Sequence, residues 1–211
     1  RDKYMKKKVL LILFCMVFVS IFSTVMTTAY LTDTATSEGV YTFGDVKIKL
    51  DESNVDELGR VIDDKRVLEN KYHLMPGYTY KKDPVITVMK NSTDTYIRIL
   101  ITVSDTDKLK KIYGDNFTIE NIYSGWGENW SYYGKETLEN TTVYEYRYNL
   151  VVSAKDKNVK LEPLFNEFII PGDTTIEDLK EIEDLEISIV GQAIQTQGFD
   201  NVDMAWELFN K

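Results

Sequence analysis

Residues able to do chemistry are few in this chain, and their spacing excludes more than it offers. There is one histidine, His73, in Tyr72-His73-Leu74, and one cysteine, Cys15. A zinc peptidase needs about three protein ligands and an open position; no H-E-x-x-H run supplies them, so His73 reads as a loop or packing residue. Serine catalysis needs a base beside the hydroxyl, and no G-x-S-x-G is present. Asp63-Asp64 and the pair Glu181 and Glu183 read as solvated faces of an acidic protein. Asp51, Glu52, Asp56, Asp63 and Asp64 are hard oxygen donors that calcium would accept, but they lack EF-hand spacing. No catalytic residue, metal or cofactor is assigned, and the chain is expected not to be an enzyme. Trp126, Trp130, Tyr132 and Tyr133, in the Gly-rich stretch 124–134, could form an aromatic contact loop for sugars or a partner protein. Large aromatics are usually mostly buried, which favours a loop folded over the end of the core.

The N-terminus carries a different chemistry, that of a substrate. Lys6, Lys7 and Lys8 precede an apolar run from Val9 to Val25, and Thr27, Thr28 and Ala29 are small. Cations, hydrophobic segment and small residues in that order form a secretory signal peptide. Thr27 and Ala29 would occupy the −3 and −1 positions, placing the cut before Tyr30; a cut just before Ala29 is the alternative. A retained membrane anchor competes, since the apolar run sits at the short edge of a spanning helix. Arg1 to Tyr4 precede Met5, a plausible initiator, and are left out of the fold reading. Cys15 lies behind Phe14 with no small residue before it, against a lipoprotein reading. The expectation is a secreted or cell-surface protein that meets a signal peptidase transiently and touches the membrane only through an uncut signal segment.

Residues 30–211 then form one domain, with length enough for a single core. The whole chain carries a net charge of −9, and the signal segment removes more basic than acidic residues. Such a surface repels nucleic acid. Without Cys15 the secreted part has no thiol, so it can form no disulfide. The 14 Tyr and 9 Phe must supply much of the core instead.

Periodicity places the elements. Residues 30–41 are Thr-rich and β-branched, an extended segment. Val46, Ile48 and Leu50 alternate with Lys47 and Lys49, a half-buried strand. The acidic stretch 51–73 reads as a long surface connection. Met75-Pro76-Gly77 is a turn, followed by strands over 84–90 and 96–103, the second with Ile97, Ile99, Ile101 and Val103 on one face. Ser104 is expected to cap a helix ended by Gly114. Further strands are expected over 117–123, 142–152, 159–170 and 185–194. Tyr144, Tyr146, Tyr148 and Leu150 line one side of the second of these. Residues 173–183 read as a short helix with Ile176, Leu179 and Ile182 inward, and Asn201 caps a last helix with Val202, Ala205, Trp206 and Phe209 on one stripe. Strands too close in sequence for helical crossovers imply an antiparallel, jelly-roll-like β-sandwich with short helices at its ends.

Ala29-Tyr30-Leu31-Thr32-Asp33-Thr34, followed by Tyr41-Thr42-Phe43-Gly44-Asp45-Val46, resembles the start of the TasA/camelysin family of secreted Gram-positive proteins, which carry a SipW-type signal. Leu74-Met75-Pro76-Gly77, Tyr96-Ile97-Arg98, Leu164-Phe165-Asn166 and Gln195-Thr196-Gln197-Gly198-Phe199 extend the similarity. The resemblance implies a jelly-roll subunit of extracellular fibres or biofilm matrix, with partners in further copies or other matrix proteins. Its freed N-terminal segment, Tyr30, Leu31, Thr32 and Asp33 through Val40, would complete the sheet of a neighbour. Two departures are the acidic connection before Met75 and the short chain. Alternatives left open are a monomeric adhesin or carbohydrate-binding module and a camelysin-like metalloendopeptidase.

Overall fold

A computed structural model describes residues 38–43, 45–183 and 185–210 of the chain. Its centre is β6 (Ser92–Val103), where Ile97, Ile99, Ile101 and Val103 are all buried. The period-2 pattern does what it must: four β-branched side chains stand on one face and form the floor of the core. Against β6 runs β13 (Ile187–Gln195), antiparallel in unbroken register from Ile187 opposite Val103 to Gln195 opposite Thr95. With β1 (Glu38–Phe43), β8 (Trp130–Leu138) and β9 (Thr141–Tyr148), these strands form a sheet in the order β1-β13-β6-β9-β8, and β10 (Val152–Ala154) pairs with the start of β6.

A second sheet lies across the core. It contains β2 (Ile48–Val55), β3 (Val61–Val67), β5 (Val85–Val88) and β11 (Val159–Lys160), in the order β11-β5-β2-β3. Ile48, Leu50, Ile86 and Val88 share one buried cluster with the β6 isoleucines. The layers come close at Gly191 of β13, where a Cβ would stand 3.0 Å from Ile86 Cδ1, so a side chain there would have to push that methyl group aside. A small sheet of β4 (Thr79–Lys81), β7 (Tyr123–Ser124) and β12 (Glu167–Ile169) closes one end. The fold is the expected mostly-β, antiparallel sandwich with short helices. One pair departs from it: β1 runs parallel to β13, from Glu38 beside Ile189 to Phe43 beside Ile194.

Several elements differ from expectation, each for a local reason. The stretch 51–73 is mainly a hairpin rather than a surface connection. Its strand β3 carries Asp63, Asp64, Lys65 and Arg66 because it is an edge strand, where charge is common. Asp56 builds the turn, its Oδ1 accepting from the Leu58 and Arg60 N–H groups, and Gly59 sits at φ +73° with no space for a Cβ beside Tyr80. The helix α1 (Thr106–Tyr113) is capped by Asp105, whose carboxylate accepts from the Asp107 N–H; Ser104 Oγ accepts from Glu186 N–H instead. Where a strand was expected over 117–123, Asn121 Oδ1 takes the Thr118 N–H and starts the single turn α2 (Ile119–Ile122). The run 159–170 is interrupted between β11 and β12, with Pro163 in the gap. Leu150 lies beyond the end of β9 and is exposed.

The remaining helices match the pattern more closely. In α3 (Ile176–Glu181) Ile176 is exposed, Leu179 is half-buried, and Ile182 at the C-cap is buried. In α4 (Val202–Phe209) Asn201 Oδ1 accepts the Met204 N–H, and Ala205 and Trp206 are buried. Among the described residues, no helix is long and apolar enough to cross a membrane; the apolar run 9–25 lies outside them.

Candidate functional site

Of the residues expected to carry processing and assembly, Thr27, Ala29, Tyr30, Leu31, Thr32 and Asp33 lie outside the described residues. Val40 is inside them. It sits in β1 beside Gly191 and is 43 % exposed, an apolar side chain left half in water at the rim of the sheet. β1 has β13 on one side, and no described strand pairs with its other side. From Phe43 the chain passes to Ile48 in the opposite sheet, so β1 is joined to its own domain by a short strand-switching connection.

The four aromatics of the expected contact loop are divided rather than gathered. Trp130, Tyr132 and Tyr133 belong to strand β8 and not to a loop, and only Trp126 lies in the Gly-rich turn before it. Trp126 stacks on Tyr146 at 4.7 Å between centroids, and its Nε1 donates to the Tyr123 carbonyl. Trp130 is buried, with Nε1 donating to the Glu162 carbonyl. A bulge at Tyr133 interrupts the register between Tyr132 and Gly134. Tyr132 leans toward Tyr146, whereas Tyr133 lies under the Arg147 guanidinium at 3.2 Å and its hydroxyl donates to Asp203. Tyr132 and Tyr133 therefore face opposite sides of the strand and make no common platform.

His73 engages the fold through its backbone: its N–H donates to the Glu57 carbonyl and its own carbonyl accepts from the Tyr80 hydroxyl. Its exposed ring stands at a groove of about 470 Å³ lined also by Leu74, Met75, Pro76, Ile176 and Leu179. Among the described residues, no group of three or more His, Cys, Asp or Glu side chains could hold a metal ion.

The carboxylates considered for calcium are dispersed among cations. Asp56 is bound by Arg60, Asp63 by Lys65 and the Asn54 amide, and Asp51 by Lys49 and Arg66. Arg66 also reaches Asp83, which accepts from the Ser53 N–H at 2.7 Å and hydroxyl at 2.8 Å. Burial raises the Asp83 carboxyl, but the Ser53 hydrogen bonds with Arg66 and Lys81 outweigh it and hold the group below the usual carboxylate range.

Glu52, expected among the oxygen donors of a surface connection, is wholly buried. It continues the phase of Ile48 and Leu50, so the pleat carries its side chain inward. Lys82 is buried two residues after buried Tyr80, by the same alternation. Lys82 Nζ donates to Glu52 Oε2 at 2.6 Å. The other oxygen, Glu52 Oε1, accepts from Asn70 Nδ2 at 2.7 Å. Asn70 Nδ2 also donates to the Ser53 carbonyl, and its Oδ1 accepts from the Val55 N–H at 2.9 Å. Tyr72 lies over Lys82, with Nζ 5.9 Å from the ring centroid. Extending the strand phase through the charged residues would have placed Glu52 and Lys82 inside, whereas Asn70 lies in no strand and has no such signal.

Compared with known proteins, the chain matches no family model, no curated protein and no solved structure.

Proposed function

We propose that the chain is a secreted, non-enzymatic surface or matrix protein whose copies associate by strand addition, through the N-terminal segment that ends in β1. The observation that supports this reading is the pairing of β1. A parallel strand needs a long crossover when it belongs to a continuous motif. Here β1 and β13 stand near opposite ends of the described chain, and among the described residues β1 is followed by a short link from Phe43 to Ile48. A strand held that way can be supplied by a neighbouring copy with the same backbone hydrogen bonds, and alternate side chains such as Val40 would set the register. Removal of the signal segment would free this strand for exchange. The aromatic positions favour association over sugar binding, because Trp126 and Trp130 are taken up by internal contacts.

The test is the size distribution of protein recovered from the medium, by light scattering and electron microscopy, with N-terminal sequencing to locate the cut. Ordered assemblies should form with Tyr30 as first residue. They should be lost on deleting residues 30–43, and a peptide spanning 30–43 added in excess should shorten them. Assembly undiminished by the deletion sinks the reading, and so does protein that stays monomeric at high concentration.

A further inference from the structure

Glu52, Lys82 and Asn70 form a site with no part in strand addition: one carboxylate hydrogen-bonded at its two oxygens to an amine and to a primary amide, inside the protein. We propose that this is a site of intramolecular covalent modification, at which Lys82 Nζ condenses with the Asn70 side-chain amide to form a lysine–asparagine isopeptide bond.

Glu52 bridges the two groups that would react, and each has a partner suited to its role. Lys82 and Glu52 are almost fully removed from water, and Glu52 acts as general base, taking a proton from the amine as the first step of the reaction. That transfer runs along the 2.6 Å Nζ to Oε2 contact and leaves a neutral amine, the nucleophilic form. Attack of Nζ on Asn70 Cγ gathers negative charge on Oδ1, which already accepts the Val55 N–H. A fixed backbone donor at that oxygen is the kind of group that stabilises a tetrahedral intermediate. Glu52 Oε1 contacts Nδ2 at 2.7 Å, so the carboxyl group can return a proton to the departing nitrogen. The Nζ–Cγ bond forms and the Cγ–Nδ2 bond breaks; Nζ gives up two protons, one before attack and one after it. Both pass through the Glu52 carboxyl group to the departing nitrogen, so ammonium leaves and Glu52 ends ionised as it began. No oxidant or co-reactant enters. The orientation of the Asn70 amide is fixed by its partners, since Nδ2 faces a carboxylate and a carbonyl while Oδ1 faces an N–H.

The surroundings fit the same reaction. A cavity of about 30 Å³ beside Lys82 is lined by apolar and aromatic side chains including Tyr72, Leu109, Ile122 and Phe168. It leaves space beside the lysine stem that an ammonia-sized product could occupy. Asn70 follows β3 and Lys82 follows β4, so the bond would tie the end of the β2–β3 hairpin to the strand that leads into β5.

The experiment is intact-mass spectrometry of the folded full chain and of the form recovered from culture medium, each read against its own termini. The expected mass is lower than the sequence requires by one ammonia, with a proteolytic fragment in which the Asn70 and Lys82 peptides are joined. A succinimide at Asn70 loses the same mass but joins no second peptide and reopens in mild base. Lys82→Arg, which keeps the cation beside Glu52, should restore the full mass, and circular dichroism reports that it folds. Asn70→Asp should lose water in place of ammonia and arrive at the same product. Folded wild-type protein that keeps its full mass after prolonged incubation overturns the proposal, as does an ammonia loss that survives Lys82→Arg.

Discussion

At the scale of single residues, this protein is governed by which side of a strand a charge falls on. Asp51 and Ser53 turn to Arg66 and Asp83, and Glu52 between them turns into the core. Asp83 makes the acid limb of stability. Its folded carboxyl lies below the unfolded value, so its contribution is complete above the usual aspartate range and is lost as pH falls through the folded value. Denaturant midpoints should therefore decline below about pH 4. Asp83→Asn should cost about 1–3 kcal/mol at neutral pH, by weakening the Ser53 and Arg66 contacts. It should also flatten that decline, and an acid limb as steep as the wild type's would contradict the assignment. The tyrosines add an opposite limb. Burial raises the hydroxyls of Tyr113, Tyr123 and Tyr146, so they favour the fold below the ordinary tyrosine range and oppose it as pH rises above.

At the scale of elements, α4 shows how a short terminal helix is held. Its Trp206 lies 4.3 Å from the buried Arg98 guanidinium, which donates to Gln192 and Asn210 and pairs with Glu145. Cation and ring stabilise each other away from water, although Trp206 Nε1 has no hydrogen-bond partner in the fold. Trp206→Ala should cost about 3–5 kcal/mol, read from thermal or denaturant unfolding. It should also speed amide exchange across residues 202–209; exchange confined to its wild-type rate would show that α4 is anchored elsewhere. This helix and β6 were legible because apolar residues recur at one clean period, as in Ile97, Ile99, Ile101 and Val103. Strands β3 and β8 were not. Both are edges, β8 is exposed along its length after Trp130, and a strand that buries neither face leaves no alternation to read. The capping residue of α1 was misplaced by one position, because Ser104 and Asp105 are both competent and only the tertiary partner of Ser104, the Glu186 N–H, decides between them. The buried cluster is hidden for a related reason: charge ordinarily marks a surface, whereas Glu52 and Lys82 sit in phase with the core.

At the scale of the whole molecule, the described fold contains no cysteine and rests on packing between two sheets. Thiol reductants should leave the melting temperature unchanged. Lys82→Arg should lower it by several degrees if the isopeptide bond is present, since closing a loop of this size is worth about 2–3 kcal/mol. Equal melting temperatures for the two proteins would mean that no cross-link contributes. The sandwich carried by β2, β6 and β13 follows from pattern alone, whereas the parallel placement of β1 has no signature in composition or period, because it depends on where the far end of the chain returns.

The two flanks of the larger sheet are unlike. On the β8 side, the bulge at Tyr133 and the guanidinium seated on its ring break up the ladder, and Lys135 and Glu136 follow along the rim. On the β1 side the ladder is straight and shows Val40. If copies exchange β1 as proposed, each would give its strand to one neighbour and take another's beside β13 while the β8 flank takes none, so a row of copies would have a direction, like an arrow.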